Sequence, residues 1–312
     1  MTAINVTIAQ LRPVLRALRL GEPDAITPLQ GGSTAVFRVD RADGEPLILK
    51  TYPDDRPWTP QKDAYAASLL RDLAVPVTQY LAIDQTQDLL PFRFAITNYL
   101  PGVPAASLKD DPGIGDVYRQ MGALIRALHS VRMPAYGYLG PAGLLEPASD
   151  HAAYVGAMAD HAFAHFCKVG GDAELARRLR AIFDARFDAV VRHGSGPVFA
   201  HDDVHPGNVL VERGGDGRLR ISGLIDFGNA RASDAACDLA KCIFCTVHQA
   251  PEAGALMREG YGPVDHPDPE GALWFYTLLH RMIMWWWLRH IGVIPAGEPH
   301  DLIDRLREMA GT

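Results

Sequence analysis

Three oxygen-bearing side chains cluster in the middle of the sequence. Within Phe199–Val211, His201, Asp203 and Asn208 stand as H-x-D-x-x-x-x-N, and Asp226 follows eighteen residues after Asn208, inside Ile225-Asp-Phe-Gly-Asn229. Phosphoryl transfer from ATP asks for such a set. It needs a carboxylate to orient the attacking hydroxyl and accept its proton, and a carboxylate plus an amide to hold Mg²⁺ on the phosphates. Mg²⁺ is a hard cation that prefers oxygen, so the residue types suit the ion. Two other chemistries fit less well. His201 and His205 imitate the two-histidine zinc motif, but that motif needs both rings on one helix, and Pro206-Gly207 follow directly in a strand-like stretch. His201 therefore reads as a hydrogen-bonding brace of a loop. Cys237, Cys242 and Cys245 begin an iron–sulfur spacing that has no fourth cysteine downstream. Asp238–Val247 reads instead as a helix in which cysteine is a small apolar residue.

Such side chains need elements to hold them. Ala25–Gln30, Ala35–Asp40 and Pro46–Tyr52 are short β-branched and apolar runs, the last two joined by the hairpin turn Asp43-Gly44. An antiparallel meander is expected there. Gln61–Leu73 carries apolar residues near helical spacing, closed by Val75-Pro76. Strands are expected again at Tyr80–Asp84 and Phe92–Leu100. Beyond Pro101-Gly102 the pattern turns helical, with helices predicted at Val117–Val131, Ala152–Phe166, Glu174–Val191, Ala272–His290 and His300–Met309. Only Pro197–Ala200, Asn208–Glu212 and Arg218–Ile225 interrupt them as strands. A β-rich first part and a helical second part predict an α+β architecture with segregated lobes.

The segment His201-Asp-Asp-Val-His-Pro-Gly-Asn-Val-Leu210 resembles the H-G-D-L-H-P-G-N-[VIL]-L signature of the aminoglycoside phosphotransferase family, which includes choline, ethanolamine and homoserine kinases. Asp234-Ala-Ala-Cys-Asp-Leu-Ala240 is similar to that family's segment ending in D-L-A. The resemblance implies a protein-kinase-like fold: a small lobe with an antiparallel sheet plus one helix, and a larger, mostly helical lobe. It implies Asp203 as catalytic base, Asn208 and Asp226 as Mg²⁺ ligands, and Asp238 as an acid bracing the catalytic loop. The family usually has glycine where this chain has Asp202, and the five-residue step to Asn208 selects Asp203 as the base.

The resemblance also makes demands upstream. A glycine turn should cover the phosphates, and Gln30-Gly31-Gly32-Ser33-Thr34 supplies it, with backbone N–H groups and small hydroxyls. A lysine should end the third strand, and Lys50 does. An acid on the next helix should pair with it, and Asp63 is the best-placed candidate, although the family generally uses glutamate. Ala95–Gly102 resembles the hinge whose backbone meets the purine, which points to Thr97, Asn98, Tyr99 and Leu100. The carboxy-terminal region should build the acceptor pocket. Trp274, His280, Trp285, Trp286, Trp287 and His290 crowd one helix there, behind Glu252, Glu259, Asp265, Asp268 and Glu270.

Composition narrows the classes. The 312 residues are 48% hydrophobic and 21% charged, as in an ordinary folded protein. A net charge of −7 gives no support to nucleic-acid binding and would suit a cationic acceptor. No stretch has the length to span a membrane and no secretory signal is evident, so a cytoplasmic location is expected. No P-loop and no dinucleotide fingerprint occurs. The expectation is therefore one phosphotransferase domain: a nucleotide-binding lobe at 1–98, and a catalytic and substrate-binding lobe at 99–312. It would use ATP, with GTP left open, and Mg²⁺ to phosphorylate a hydroxylated small molecule, an aminoglycoside or related antibiotic first. A metabolic alcohol (choline, ethanolamine, homoserine or a sugar) is the alternative acceptor, and a catalytically silent nucleotide-binding module the alternative class. Either a monomer or a homodimer is compatible with the sequence.

Overall fold

The computed structural model describes residues 4–29, 34–52, 59–248, 250–295 and 297–311. In chain order these form α1 (Ile8–Ala17), β1 (Pro23–Leu29), β2 (Val36–Arg41), β3 (Leu47–Tyr52), α2 (Thr59–Ser68), β4 (Tyr80–Asp84), β5 (Arg93–Asn98), β6 (Val103–Pro104) and α3 (Ile114–Leu128). There follow β7 (Tyr136–Leu139), β8 (Leu144–Ala148), α4 (His151–Lys168), α5 (Ala173–Val191), β9 (Val198–Ala200), β10 (Val209–Arg213), β11 (Leu219–Leu224) and β12 (Arg231–Ser233). The chain ends with α6 (Ala235–Val247), α7 (Ala253–Tyr261), α8 (Pro269–His290) and α9 (Asp301–Ala310). Two compact units result: 1–117 with 139–143 and 206–230, and 118–138 with 144–205 and 231–312.

The first unit is built on an antiparallel sheet in the order β1-β2-β3-β5-β4. Strand side chains alternate between faces, so one face collects Phe37, Val39, Leu47, Leu49, Phe94 and Ile96. Onto it α1 lays Leu11, Val14 and Leu15. This helix joins α2 as a second helix beside the sheet and was not anticipated. It starts at a capping box in which Thr7 and Gln10 each satisfy the other's backbone N–H. Alternation puts Lys50, one residue beyond Leu49, on the face opposite α1.

The expected helix over 61–73 stops at Ser68. Beyond it the N–H groups of Leu70 and Leu73 bond three residues back, to Ala67 and Leu70, and tighten the chain into turns. Those turns lead to Pro76, whose carbonyl accepts the Leu224 N–H at 2.8 Å. The β10–β11 hairpin is thereby tied into the first unit, and β6 pairs along its other edge. Just before β6, Gly102 has φ +104°, and a Cβ there would fall 2.5 Å from Val211 O and Ser222 Oγ. Only glycine permits that approach.

The second unit is mostly helical, with α8 packed against α4, α5, α6 and α9, plus a sheet ordered β8-β7-β12-β9. α7 forms within the acidic stretch ahead of α8, where no element was expected. Among the described residues no helix is long and apolar enough to cross a membrane.

Candidate active site

Lys50 is fixed on both sides, since β3 pairs with β2 and β5 and places it opposite Val36 and Ala95. Its ammonium donates to Asp63 Oδ2 at 3.2 Å and to Asp226 Oδ1 at 3.1 Å. Asp63 is fully buried and also accepts the Tyr52 hydroxyl at 3.1 Å, whereas the Asp226 side chain is 53% exposed. Burial works against the Lys50 charge, but the two carboxylates outweigh it and hold the ammonium above the ordinary lysine value. Burial pushes the Asp63 carboxyl up, against the pull of Lys50. The aspartate reaches Lys50 from α2, which is anchored beside the turn Phe227–Asn229: the neighbouring Lys62 is buried and donates to the Gly228 carbonyl.

A buried carboxylate that loses its cation is costly, so Lys50→Met is expected to lower folding stability by about 3–5 kcal/mol. Asp63→Asn leaves Lys50 with Asp226 and should cost less than half as much. Urea unfolding of both variants checks the order, and equal losses would contradict the pairing.

Asn208 and Asp226 sit at the open end of the β10–β11 hairpin. Val209 pairs with Leu224, and the Ile225 N–H donates to the Asn208 carbonyl at 3.0 Å, so the chain brings the two residues to the same end of the hairpin. Asp226 adopts φ 66° and ψ 75°, a left-handed conformation that few non-glycine residues take up and that recurs at functional sites. An exposed carboxylate beside an amide is a donor set of the kind Mg²⁺ takes, completed by phosphate and water. Lys50 alongside suits the phosphates themselves. Among the described residues no group of three or more His, Cys, Asp or Glu side chains could hold a metal, so a cation here would draw the rest of its shell from its substrate. The residues fit Mg²⁺ with a polyphosphate.

At the end of β5, Thr97 is buried, Asn98 Oδ1 accepts the Gln79 N–H at 2.7 Å, and the Arg38 guanidinium lies over the Tyr99 ring at 4.7 Å. Asn98 and Leu100 also line a cavity of about 770 Å³, bounded by α2 and residues 75–81. Thr34 forms a half-buried bend before β2, while Gly31, Gly32 and Ser33 lie outside the described residues.

Asp203 belongs to the second unit, on a stretch of bends and turns with no helix through His201 and His205. Lys241 and Cys245 of α6 lie within electrostatic reach of it. Asp238 braces this loop: one oxygen accepts the Asp202 N–H at 2.9 Å, and the other meets His129 Nε2 at 2.9 Å. Asp202, where glycine is usual in the resemblance, has φ 60° and is buried, its carboxylate 2.7 Å from Arg231 and 3.0 Å from Lys241. Arg231, Lys241 and Lys62 escaped the sequence reading. The signal for Lys241 was its place directly after Asp238-Leu-Ala240.

The model of the phosphotransferase enzyme family matches residues 25–275. The chain belongs to this family. Its enzyme class is that of a phosphotransferase with an alcohol group as acceptor. The phosphotransferase is similar in structure to aminoglycoside phosphotransferase APH(4)-Ia, with TM-score 0.71 and 17% identity over 98% of this chain and 97% of that one. A thermostable mutant of that enzyme, in a ternary complex with ADP and hygromycin B, gives 0.68 and 18% over 96% and 95%. Macrolide 2'-phosphotransferase MphH from Brachybacterium faecium gives 0.62 and 17% over 96% of each chain. These likenesses establish the α+β, protein-kinase-like fold. No curated protein sequence matches the chain.

In the carboxy-terminal part of the phosphotransferase three of the five acidic residues ahead of the tryptophans are engaged. Glu259 pairs with Arg119 at 2.9 Å, Glu270 with Arg258, and Asp268 caps α8 through the Gly271 N–H. Trp285 is buried against Phe166, Trp286 packs on His161 and His165, and Trp274 lies under Arg186. Trp287 is 37% exposed.

Proposed function

We propose that this phosphotransferase carries the γ-phosphoryl group of ATP to a hydroxyl of a small molecule, with an aminoglycoside or related antibiotic as first acceptor. The observation that carries the reading is Lys50, held between buried Asp63 and exposed Asp226. A lysine so placed has a fixed partner on one side and an exchangeable one on the other. A triphosphate beside Asp226 would offer it a further anion, while Asp63 keeps it oriented.

In this reading Asn208 and Asp226 hold Mg²⁺, which when bound offsets charge on the phosphates. Asp203 orients the acceptor hydroxyl and takes its proton. Gly31, Gly32, Ser33 and Thr34 cover the phosphates, and the 97–100 backbone meets the purine edge. Residues 1–98 serve as the nucleotide lobe and 99–312 as the catalytic and acceptor lobe. A cytoplasmic location suits an enzyme that draws on ATP.

One observation favours a second acceptor class. Glu259 and Glu270 are paired with arginines at the surface and Asp268 caps a helix, which weakens the case for a cationic acceptor and leaves a sugar or another metabolic alcohol as a serious competitor. The test is ADP release from Mg·ATP with a panel of aminoglycosides including hygromycin B, macrolides, choline, ethanolamine, homoserine and free sugars. Acceptor-dependent release with the antibiotics supports the first reading. Release with a metabolic alcohol alone supports the second, and thermal stabilisation by Mg·ATP without release on any member would overturn both.

A further inference from the structure

Asp202 is one carboxylate set against two cations. Its buried Oδ2 receives Arg231 at 2.7 Å and Lys241 at 3.0 Å, and its backbone N–H donates to Asp238. The residue occupies a left-handed backbone conformation, φ 60°, that glycine would adopt without strain. Conformation alone therefore gives no reason for an aspartate here. Charge does: Lys241 is only 9% exposed, and a buried ammonium requires a counter-ion. A second carboxylate within its electrostatic reach is Asp203, the next residue in the chain. His280, which also faces the cluster, donates from Nε2 to the Cys237 carbonyl at 3.0 Å, and burial pushes its imidazole down to about 4, so it brings no further charge at neutral pH. Without Asp202, Lys241 would turn to Asp203.

We propose that Asp202 is a positioning residue: its carboxylate retains Lys241 and so leaves Asp203 to meet the acceptor hydroxyl. The inference rests on the assignment of Asp203 as base. It explains why an aspartate stands at a position that favours glycine, and it ties Lys241 and Arg231 to the reaction without contact to a substrate.

The test is a cycle in the full chain of Asp202→Gly, Lys241→Met and the double variant, with Asp203→Ala alongside. The readouts are ADP release from Mg·ATP with the acceptor panel, Mg·ATP affinity, and crystal structures. Asp202→Gly is expected to lose at least about tenfold in turnover at unchanged Mg·ATP affinity, and adding Lys241→Met to restore most of that loss. In the Asp202→Gly crystal, Lys241 Nζ should lie within ion-pair distance of Asp203. A double variant as slow as Asp202→Gly, or a Lys241 that does not move to Asp203, would overturn the proposal. If Asp202→Gly does not fold, Asp202→Asn carries the same structural and kinetic readouts. An Asp203→Ala enzyme as active as the wild type would overturn the base assignment instead, whereas the Lys241 displacement is read from coordinates whatever the activity.

Discussion

Asp203→Ala is expected to reduce phosphoryl transfer by about 10²–10⁴-fold, the usual worth of a positioned general base, with Mg·ATP affinity nearly unchanged. The expectation follows from how the loop is held. The backbone just before Asp203 is pinned by Asp238 through the Asp202 N–H, and Asp238 is itself fixed by His129, whose other ring nitrogen meets the Tyr261 hydroxyl at 2.9 Å. A carboxylate on so braced a backbone has its direction set before any substrate arrives. Truncating it removes one function and leaves the brace intact. Single-turnover kinetics with isothermal titration of Mg·ATP separates the two quantities. A variant that loses nucleotide affinity in step with turnover would show that Asp203 acts on binding rather than on the hydroxyl.

Asp226→Asn is expected to have the complementary signature. Asparagine tolerates the left-handed backbone found at this position, so the substitution removes charge and little else. Mg²⁺-dependent ATP affinity should fall by about 10²-fold or more, since a carboxylate ligand to a phosphate-bound cation is worth several kcal/mol. Binding of ATP in the absence of Mg²⁺ should not fall, because Lys50 sheds one competing carboxylate and keeps Asp63. Titrations with Mg²⁺ and with a chelator distinguish these outcomes. Equal losses under both conditions would place Asp226 outside the metal site.

The parts of this fold that the sequence announced are those governed by local rules. The meander from β1 to β3 is visible in short apolar and β-branched runs and in Asp43-Gly44, and α4, α5 and α8 in their helical spacing. α1 is legible in Thr7 and Gln10, whose spacing is that of a capping box. β12 is not: three residues become a strand only because β7 and β9 lie on either side of them. The same division runs through the site. Asp203, Asn208 and Asp226 stand in a recognisable order, and Lys50 with Asp63 followed from the strand and helix beside them. Lys62 and Arg231 owe their places to partners 166 and 29 residues away, Gly228 and Asp202, which no local pattern reveals. The acidic stretch before α8 shows the opposite failure. It suggested a receptor for a cation, yet Asp268 caps a helix and Glu259 and Glu270 pair with arginines, uses that depend on which residues the fold brings near.

Lys50, Asn208 and Asp226 are expected to receive one nucleotide between them. A crystal structure of the full chain with Mg²⁺ and a non-hydrolysable ATP analogue tests it most directly. Lys50 Nζ is expected on phosphate oxygens, with Asp63 still behind it, and Mg²⁺ at about 2.0–2.1 Å from oxygens of Asp226 and Asn208. A triphosphate bound elsewhere, with Lys50 still closed on Asp63 and Asp226, would contradict it.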